Sequence, residues 1–303
     1  GGFDFLLAVG GGSVIDAVKF IAAAVHFEGD AWAILEKRGR NITQAVPFGA
    51  VLTLPATGSE MNNGSVITHR GPGAERALRR AHPSPLFSVL APPKAYTLPP
   101  QQLANGVVDA FVHTVEQYLT YPVNAPVQDR FAEGILQTLI EIGPRLLTAT
   151  EPVYDDRANL MWAATMALNG LIGAGVPQDW ATHMIGHELT ALHGIDHART
   201  LAIVLPALLN ERRGPKRAKL LQYAERVWGI TTGSEDERIT AAIERTRDFF
   251  ESMGIRTRLS GYGLGAEVID TVITQLEAHG MVKLGEQREI TPAVSRRILE
   301  AAL

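Results

Sequence analysis

Asp109 and His113 stand four residues apart in a segment of helical period, Asp109-Ala110-Phe111-Val112-His113. On a helix that spacing puts a carboxylate and an imidazole on one face, a turn apart, where both can chelate a single ion. His183-Met184-Ile185-Gly186-His187 repeats the spacing, and His197 follows on what Gly194 marks as the loop after that helix. Any one of the nine histidines taken alone reads as a surface or hydrogen-bonded core residue. Two chelating pairs and a further His together read as a metal site. The chain has no cysteine, which removes sulfur-based zinc sites, iron–sulfur clusters, disulfides and thiolate nucleophiles. Three imidazoles and one carboxylate suit Zn2+ or Fe2+ and leave a position for a substrate oxygen.

A second kind of chemistry is signalled by glycine. Gly10-Gly11-Gly12-Ser13 follows an apolar run and precedes a helical pattern, so its backbone N–H groups can seat a pyrophosphate on a helix N-terminus. It is not G-x-G-x-x-G, and a plain tight turn explains it equally well when it is judged alone. Pro55-Ala56-Thr57-Gly58-Ser59-Glu60 is a second small-residue turn able to face an anion. Two such turns and a metal site in a separate stretch of chain suggest a nucleotide in a cleft that faces a Lewis acid.

The elements that must hold these residues divide near residue 100. The run Phe3 to Val9 reads as a buried parallel strand ended by the glycines, and Ser13, placed to cap the first turn, opens a helix over residues 13–24. Residues 50–54 and 87–90 read as further strands, Gly71-Pro72-Gly73 as a turn, and Pro92, Pro93, Pro99 and Pro100 as a boundary. Helical period then recurs over 101–121, 126–148, 155–173, 178–193, 199–212, 214–228, 235–253, 266–279 and 291–303. The expected fold is an α/β domain over residues 1–100, with a parallel dinucleotide-binding sheet, followed by an all-α metal-binding domain over 101–303. No internal repeat or low-complexity tract interrupts it.

Composition excludes several other roles. Over 303 residues, 28 Lys and Arg against 32 Asp and Glu give a formal charge of −4, and no basic block alternates with aromatics, so nucleic acid is not an expected partner. No run of about 18 apolar residues and no signal-peptide pattern occurs, which points to a cytoplasmic protein without a membrane anchor.

The chain resembles the iron-containing (group III) alcohol dehydrogenases, and within them the NADPH-dependent aldehyde reductase and butanol dehydrogenase branch. The resemblance is carried by Ala8-Val9-Gly10-Gly11-Gly12-Ser13 with Asp16 and Lys19, by Thr53 through Glu60, by Asp109 through Glu116, and by His183 through His187 to His197-Ala198. It implies a dehydroquinate synthase-like fold and a homodimer. It also implies metal ligands at Asp109, His113, His183 and His197, with His187 beside the substrate as the catalytic group. Pyrophosphate contacts fall on Gly10, Gly11, Gly12 and Ser13, and further nucleotide contacts on Thr53 and Asn62. The cofactors implied are NADP, with NAD as the alternative, and one Fe2+ or Zn2+.

Three features depart from the family pattern. The strands and helices that the family places upstream of the glycine motif are not in this sequence, which is the expectation for a truncated chain or an incomplete reading frame. Glu75 stands where the family carries a Lys that reaches the nicotinamide ribose, and Ala91 where it carries an Asp before Pro. The reaction implied is hydride transfer from the nicotinamide to an aldehyde polarised by the metal, with a proton relayed through His187. Two rivals remain at this stage. One is a relative that keeps fold and metal but has lost the cofactor; the other is a zinc hydrolase, although the order H-x-x-x-H-E is neither H-E-x-x-H nor H-x-x-E-H.

Overall fold

The computed structural model describes residues 2–69, 74–79 and 84–303, with residues 68–69 and 74–79 described by their backbone alone. The chain begins with strand β1 (Leu6–Gly10), helix α1 (Gly12–Ala24) and a short helix α2 (Trp32–Glu36), then strand β2 (Phe48–Leu52). An antiparallel hairpin follows, β3 (Gly64–His69) with β4 (Ala74–Arg79), and then β5 (Ser88–Leu90). β1, β2 and β5 form one parallel sheet with β2 in the middle, Ala8 opposite Ala50 and Ala50 opposite Ser88. Because parallel neighbours need a crossover, the route from β1 to β2 runs through α1. α1 covers one face, where Ala8, Ile15, Ala22, Phe48, Ala50 and Leu52 are buried together.

Two expectations are corrected here. β1 is not buried on both faces: Leu7 and Val9 remain 55% and 56% exposed, because among the described residues packing covers only the α1 side. Ser13 does not cap α1. The N-cap is Gly11 and no side chain bonds the first turn. The β3–β4 hairpin was not expected at all, since Ala74-Glu75-Arg76-Ala77-Leu78-Arg79 is rich in helix formers and becomes a strand only through pairing with β3. The turn read at Gly71-Pro72-Gly73 lies outside the described residues, as does the side chain of Glu75, whose backbone pairs with Thr68.

From Pro100 onward the described chain is helical: α3 (Pro100–Tyr118), α4 (Pro126–Thr148), α5 (Tyr154–Leu168), α6 (Ala181–His193), α7 (His197–Glu211), α8 (Arg217–Arg226), α9 (Glu235–Ser252), α10 (Ile269–Ala278) and α11 (Pro292–Ala301). α3 is the axis of this half. Every residue from Leu103 to Tyr118 is buried, as expected of a helix surrounded by others. Phe111 anchors it, with its ring 5.4 Å from both Phe249 and Phe250.

The two halves are fastened at the turn after β2. Gly106 of α3 packs on the Pro55 carbonyl. The Thr165 hydroxyl of α5 donates to the buried Glu60 carboxylate at 2.5 Å, and Asn62 Nδ2 donates to the Leu168 carbonyl at 3.3 Å. Met161 of α5 even belongs to the core of the sheet. No helix among the described residues is long and apolar enough to cross a membrane.

Candidate metal centre and nucleotide cleft

Three elements converge on one buried carboxylate. Asp109 and His113 stand a turn apart on α3, His183 lies in the first turn of α6, and His197 is the first residue of α7. His197 is thus on a helix rather than on the expected loop, since Asp196 already serves as the N-cap. Ligand atoms of Asp109, His113 and His183 all lie within 4.8 Å of one another. Asp109 Oδ1 has His113 Nδ1 at 3.6 Å, His183 Nε2 at 3.9 Å and His197 Nε2 at 3.8 Å. Imidazole rings pack around it, His113 on His183 at 4.6 Å and His183 beside His197 at 5.2 Å.

These distances are too long for hydrogen bonds. They fit atoms gathered about a shared ion, since ligands about 2.1 Å from a tetrahedral metal stand roughly 3.4 Å apart. Asp109 Oδ1 is sealed from solvent and accepts no hydrogen bond among the described residues, a costly state for a buried oxygen unless a cation completes it. Burial alone raises the Asp109 carboxyl to about 7 and lowers His197 to about 4. His187 is held well below the usual imidazole range by burial and by the neighbouring His197 and His113. A neutral, nitrogen-rich pocket around one carboxylate is the donor set a divalent cation needs.

The groups that orient this cluster were not singled out by sequence reasoning. Glu116 continues the α3 stripe, seven residues after Asp109, and is buried. Its Oε2 meets His183 Nδ1 in a very short hydrogen bond, while Oε1 accepts the Thr182 N–H at 2.6 Å. With Glu116 ionised, that contact draws the His183 proton to Nδ1 and leaves the Nε2 lone pair facing Asp109. Burial, together with repulsion from Asp179, pushes the Glu116 carboxyl well above its ordinary value. Asp179 is answered in turn by Lys216 Nζ at 2.9 Å. The i, i+4, i+7 stripe of Asp109, His113 and Glu116 in an otherwise apolar helix was the available signal.

A cavity of about 800 Å3 runs from this cluster to the glycine turn. Asp109, His113, His183, His187 and His197 line one end, and Gly12, Ser13 and Thr57 the other. The His187 ring is 4.9 Å from that of His197. Among the residues read as nucleotide contacts, Gly12, Ser13 and Asn62 line the cavity, whereas Gly10, Gly11 and Thr53 do not. Packing accounts for the latter glycines: a Cβ on Gly10 would strike Val14, and one on Gly11 would come within 2.9 Å of Leu54 Cβ. The Thr53 N–H donates to the Gly10 carbonyl at 3.0 Å, closing the same strand end.

Asn62 lines the cavity with its amide already engaged. Oδ1 accepts from Lys19 Nζ at 3.0 Å and from the Gly64 N–H at 2.9 Å; Nδ2 donates to the Gly58 and Leu168 carbonyls. Lys19 is buried and places all three of its donors, the others going to Ser59 Oγ at 2.7 Å and the Gly64 carbonyl at 2.6 Å. Burial lowers its ammonium to about 8 against the pull of Asp16 and Glu60. Asp16 accepts from Ser59 Oγ at 2.5 Å and from the Val66 N–H at 2.8 Å. The network fixes the turn that forms the cavity floor. Ala91 lies away from the cavity lining, at the N-cap of a short turn over Pro92–Ala95, where it offers no side-chain cap.

Comparison with known proteins bears on both halves. The family model for the C-terminal part of Fe-containing alcohol dehydrogenases matches residues 103–303, and that for iron-containing alcohol dehydrogenase matches residues 1–92. The chain is 66% identical over 300 residues to the NADPH-dependent aldehyde reductase YqhD of Escherichia coli, covering 98% of this chain and 77% of that one. It is 37% identical over 292 residues to NADH-dependent butanol dehydrogenase A of Clostridium acetobutylicum, covering 95% and 74%. The crystal structure of Escherichia coli YqhD superposes with a TM-score of 0.97 at 65% identity, over 99% of this chain and 77% of that one. That of an NADH-dependent butanol dehydrogenase from Thermotoga maritima superposes with a TM-score of 0.92 at 31% identity, over 99% and 76%.

Proposed function

This chain belongs to the iron-containing alcohol dehydrogenase family, and we infer its reaction from that membership: it is a metal-dependent oxidoreductase that moves a hydride between NADPH and an aldehyde or primary alcohol. The observation that carries this reading to particular residues is the cavity that joins the Gly12–Ser13 turn to the Asp109 cluster. We assign the metal to Asp109, His113, His183 and His197, and the dinucleotide to the turn Gly10-Gly11-Gly12-Ser13, where Gly12 and Ser13 face the cavity while Gly10, Gly11, Thr53 and Asn62 shape the turn and hold it in place. Residues 1–100 and 101–303 act as the nucleotide-binding and metal-binding units, and on the family resemblance the protein works as a cytoplasmic homodimer.

With both groups bound, the cation, iron or zinc, supplies Lewis-acid polarisation of a carbonyl and the nicotinamide supplies the hydride. The rest is done by the chain. Glu116 holds the tautomer and tilt of His183. The Lys19 network holds Thr57 and Ser59 against α1, so the cleft keeps its width between the two halves. The burial of Asp109, His113 and His183 lowers the local dielectric, which strengthens the electrostatic interactions among them. His187 lines the same end of the cavity and stays neutral. A neutral imidazole there relays a proton, passing its own N–H proton to the substrate oxygen while its other nitrogen takes one from solvent.

The test is direct. Purified protein supplied with Fe2+ or Zn2+ should consume NADPH in the presence of butanal, and removal of the metal by chelation should stop it. Because the relative with 66% identity is named for NADPH, kcat/KM with NADPH should exceed that with NADH by tenfold or more, about 1.4 kcal/mol. Equal efficiency with the two nucleotides would overturn the NADPH assignment. No binding of either nucleotide would favour the relative that has lost its cofactor.

A further inference from the structure

Trp180 holds a backbone conformation that its side chain makes costly. Its φ of 63° and ψ of 7° place it in the left-handed region, at the N-cap of α6. Glycine or asparagine would stand there without strain, whereas a bulky residue does so only where its surroundings leave no alternative. Those surroundings are buried and charged. The Asp179 N–H donates to the Glu116 carbonyl at 2.9 Å, and Asp179 Oδ1 accepts the Ala181 N–H at 3.0 Å. The Thr182 N–H is bound by Glu116. Lys216, which anchors Asp179, is itself tied to the Leu119 carbonyl at 2.6 Å and to Glu286 at 2.9 Å. The residues on both sides of Trp180 are therefore clamped by α3 and by the N-cap of α8.

The clamp delivers an indole to the metal end of the cavity. The Trp180 ring centroid lies 5.3 Å from that of His183 and 6.1 Å from that of His113, edge to face with both. Its Nε1 donates to Gln178 Oε1 at 2.8 Å, so the polar corner of the ring is occupied by the protein. Together with Leu168 and Met184 it gives this otherwise polar end of the cavity an apolar wall. A helix start needs none of this, and the side chain, not the backbone, is what the strained position provides.

We propose that Trp180 is the specificity-determining wall of the substrate pocket, limiting how wide the aldehyde is at the carbon next to its carbonyl. Slender chains slide along the indole face, and fully branched ones collide with it. The inference rests on the reading that aldehydes are reduced at the Asp109 cluster, and it names the substrates that site admits.

The experiment compares the metal-loaded full protein with its Trp180→Gly and Trp180→Phe variants, using butanal and 2,2-dimethylpropanal as substrates. Glycine relieves the backbone strain while removing the wall. The ratio of kcat/KM for the branched over the linear aldehyde should rise at least tenfold in Trp180→Gly and about threefold in Trp180→Phe, carried mainly in KM. Metal content by elemental analysis should be unaltered. Calorimetric titration with butan-1-ol and 2,2-dimethylpropan-1-ol reads the pocket without turnover and should show the same shift. An unchanged ratio in kinetics and titration would overturn the proposal, as would loss of metal in both variants, which would make the indole a packing support for the imidazoles. A shifted alcohol ratio in a protein that reduces neither aldehyde would uphold the wall and overturn the reading beneath it.

Discussion

Gly106, a third of the way along α3, packs directly against the carbonyl oxygen of Pro55, so closely that a Cβ there would overlap it. The contact joins the turn beneath the nucleotide end of the cavity to the helix that carries Asp109 one turn later. Neither partner yields easily, because one is the backbone of a helix buried from Leu103 to Tyr118 and the other the backbone of a proline turn. Gly106→Ala should therefore cost about 1–3 kcal/mol of stability, as overpacking does, and weaken NADPH binding by shifting the Pro55–Thr57 turn. Gly134→Ala, exposed on α4 with nothing near its added methyl, should instead stabilise by about 0.5–1 kcal/mol. Denaturant midpoints and fluorescence titration of the nucleotide check both.

The metal assignment has its own test. The parent should carry about one equivalent of divalent metal, and His197→Ala less than a tenth of that after dialysis. His183→Ala should lose it more completely, since the His197 side chain is 30% exposed and that of His183 only 5%. Full metal content in His197→Ala would remove His197 from the ligand set and leave the three-residue cluster of Asp109, His113 and His183.

Lys19 predicts a pH dependence of stability. Its ammonium sits at about 8 when folded against 10.5 unfolded, so between those values the unfolded chain binds more protons. Stability contributed by this group therefore rises with pH across that window and is lost as the pH falls toward 8. The shift corresponds to about 3 kcal/mol. Urea unfolding at pH 8 and pH 10 should show a rise in the parent that is missing in Lys19→Met; parallel slopes would mean that Lys19 titrates as a solvated amine.

What could be read without coordinates followed from periodicity. Asp109 with His113, and His183 with His187, share helix faces because four residues make about one turn, and that rule operates before any tertiary contact forms. The helical run from residue 100 was legible for the same reason. His197 was misplaced because Gly194 does end α6, with φ 66°, while α7 starts only three residues later. The β3–β4 hairpin depends on pairing across the chain, and its second strand has the composition of a helix. Asn62 has the right chemistry for a nucleotide contact, yet its four hydrogen-bonding positions are taken by Lys19, Gly64, Gly58 and Leu168. Trp180 was invisible because no sequence rule expects an indole at positive φ. Its position follows from the neighbouring Asp179 together with Glu116 and Lys216, which are distant in sequence.

Glu116 yields the sharpest prediction, because one atom changes and the packing does not. As a carboxylate it accepts from both Thr182 N–H and His183 Nδ1–H, and it is the second of these that leaves Nε2 unprotonated and aimed at Asp109 Oδ1, 3.9 Å away. In Glu116→Gln one of the two positions becomes an NH2 donor. If the amide nitrogen faces His183, the ring must accept at Nδ1 and carry its proton on Nε2, where a metal would have to displace it. If it faces Thr182, two N–H donors oppose each other in a buried site, at a cost of about 1–3 kcal/mol. Either arrangement weakens the metal site, and removal of such a supporting carboxylate typically costs 10–100-fold in affinity. Competition with a chelating dye, read on protein whose helical content by circular dichroism matches the parent, should show a loss of that size for Zn2+. Glu116→Asp, which keeps the charge but shortens the reach, should recover part of it. Parent-like affinity in Glu116→Gln would mean that His183 is oriented by its helix alone and that the carboxylate serves only to hold the turn before α6.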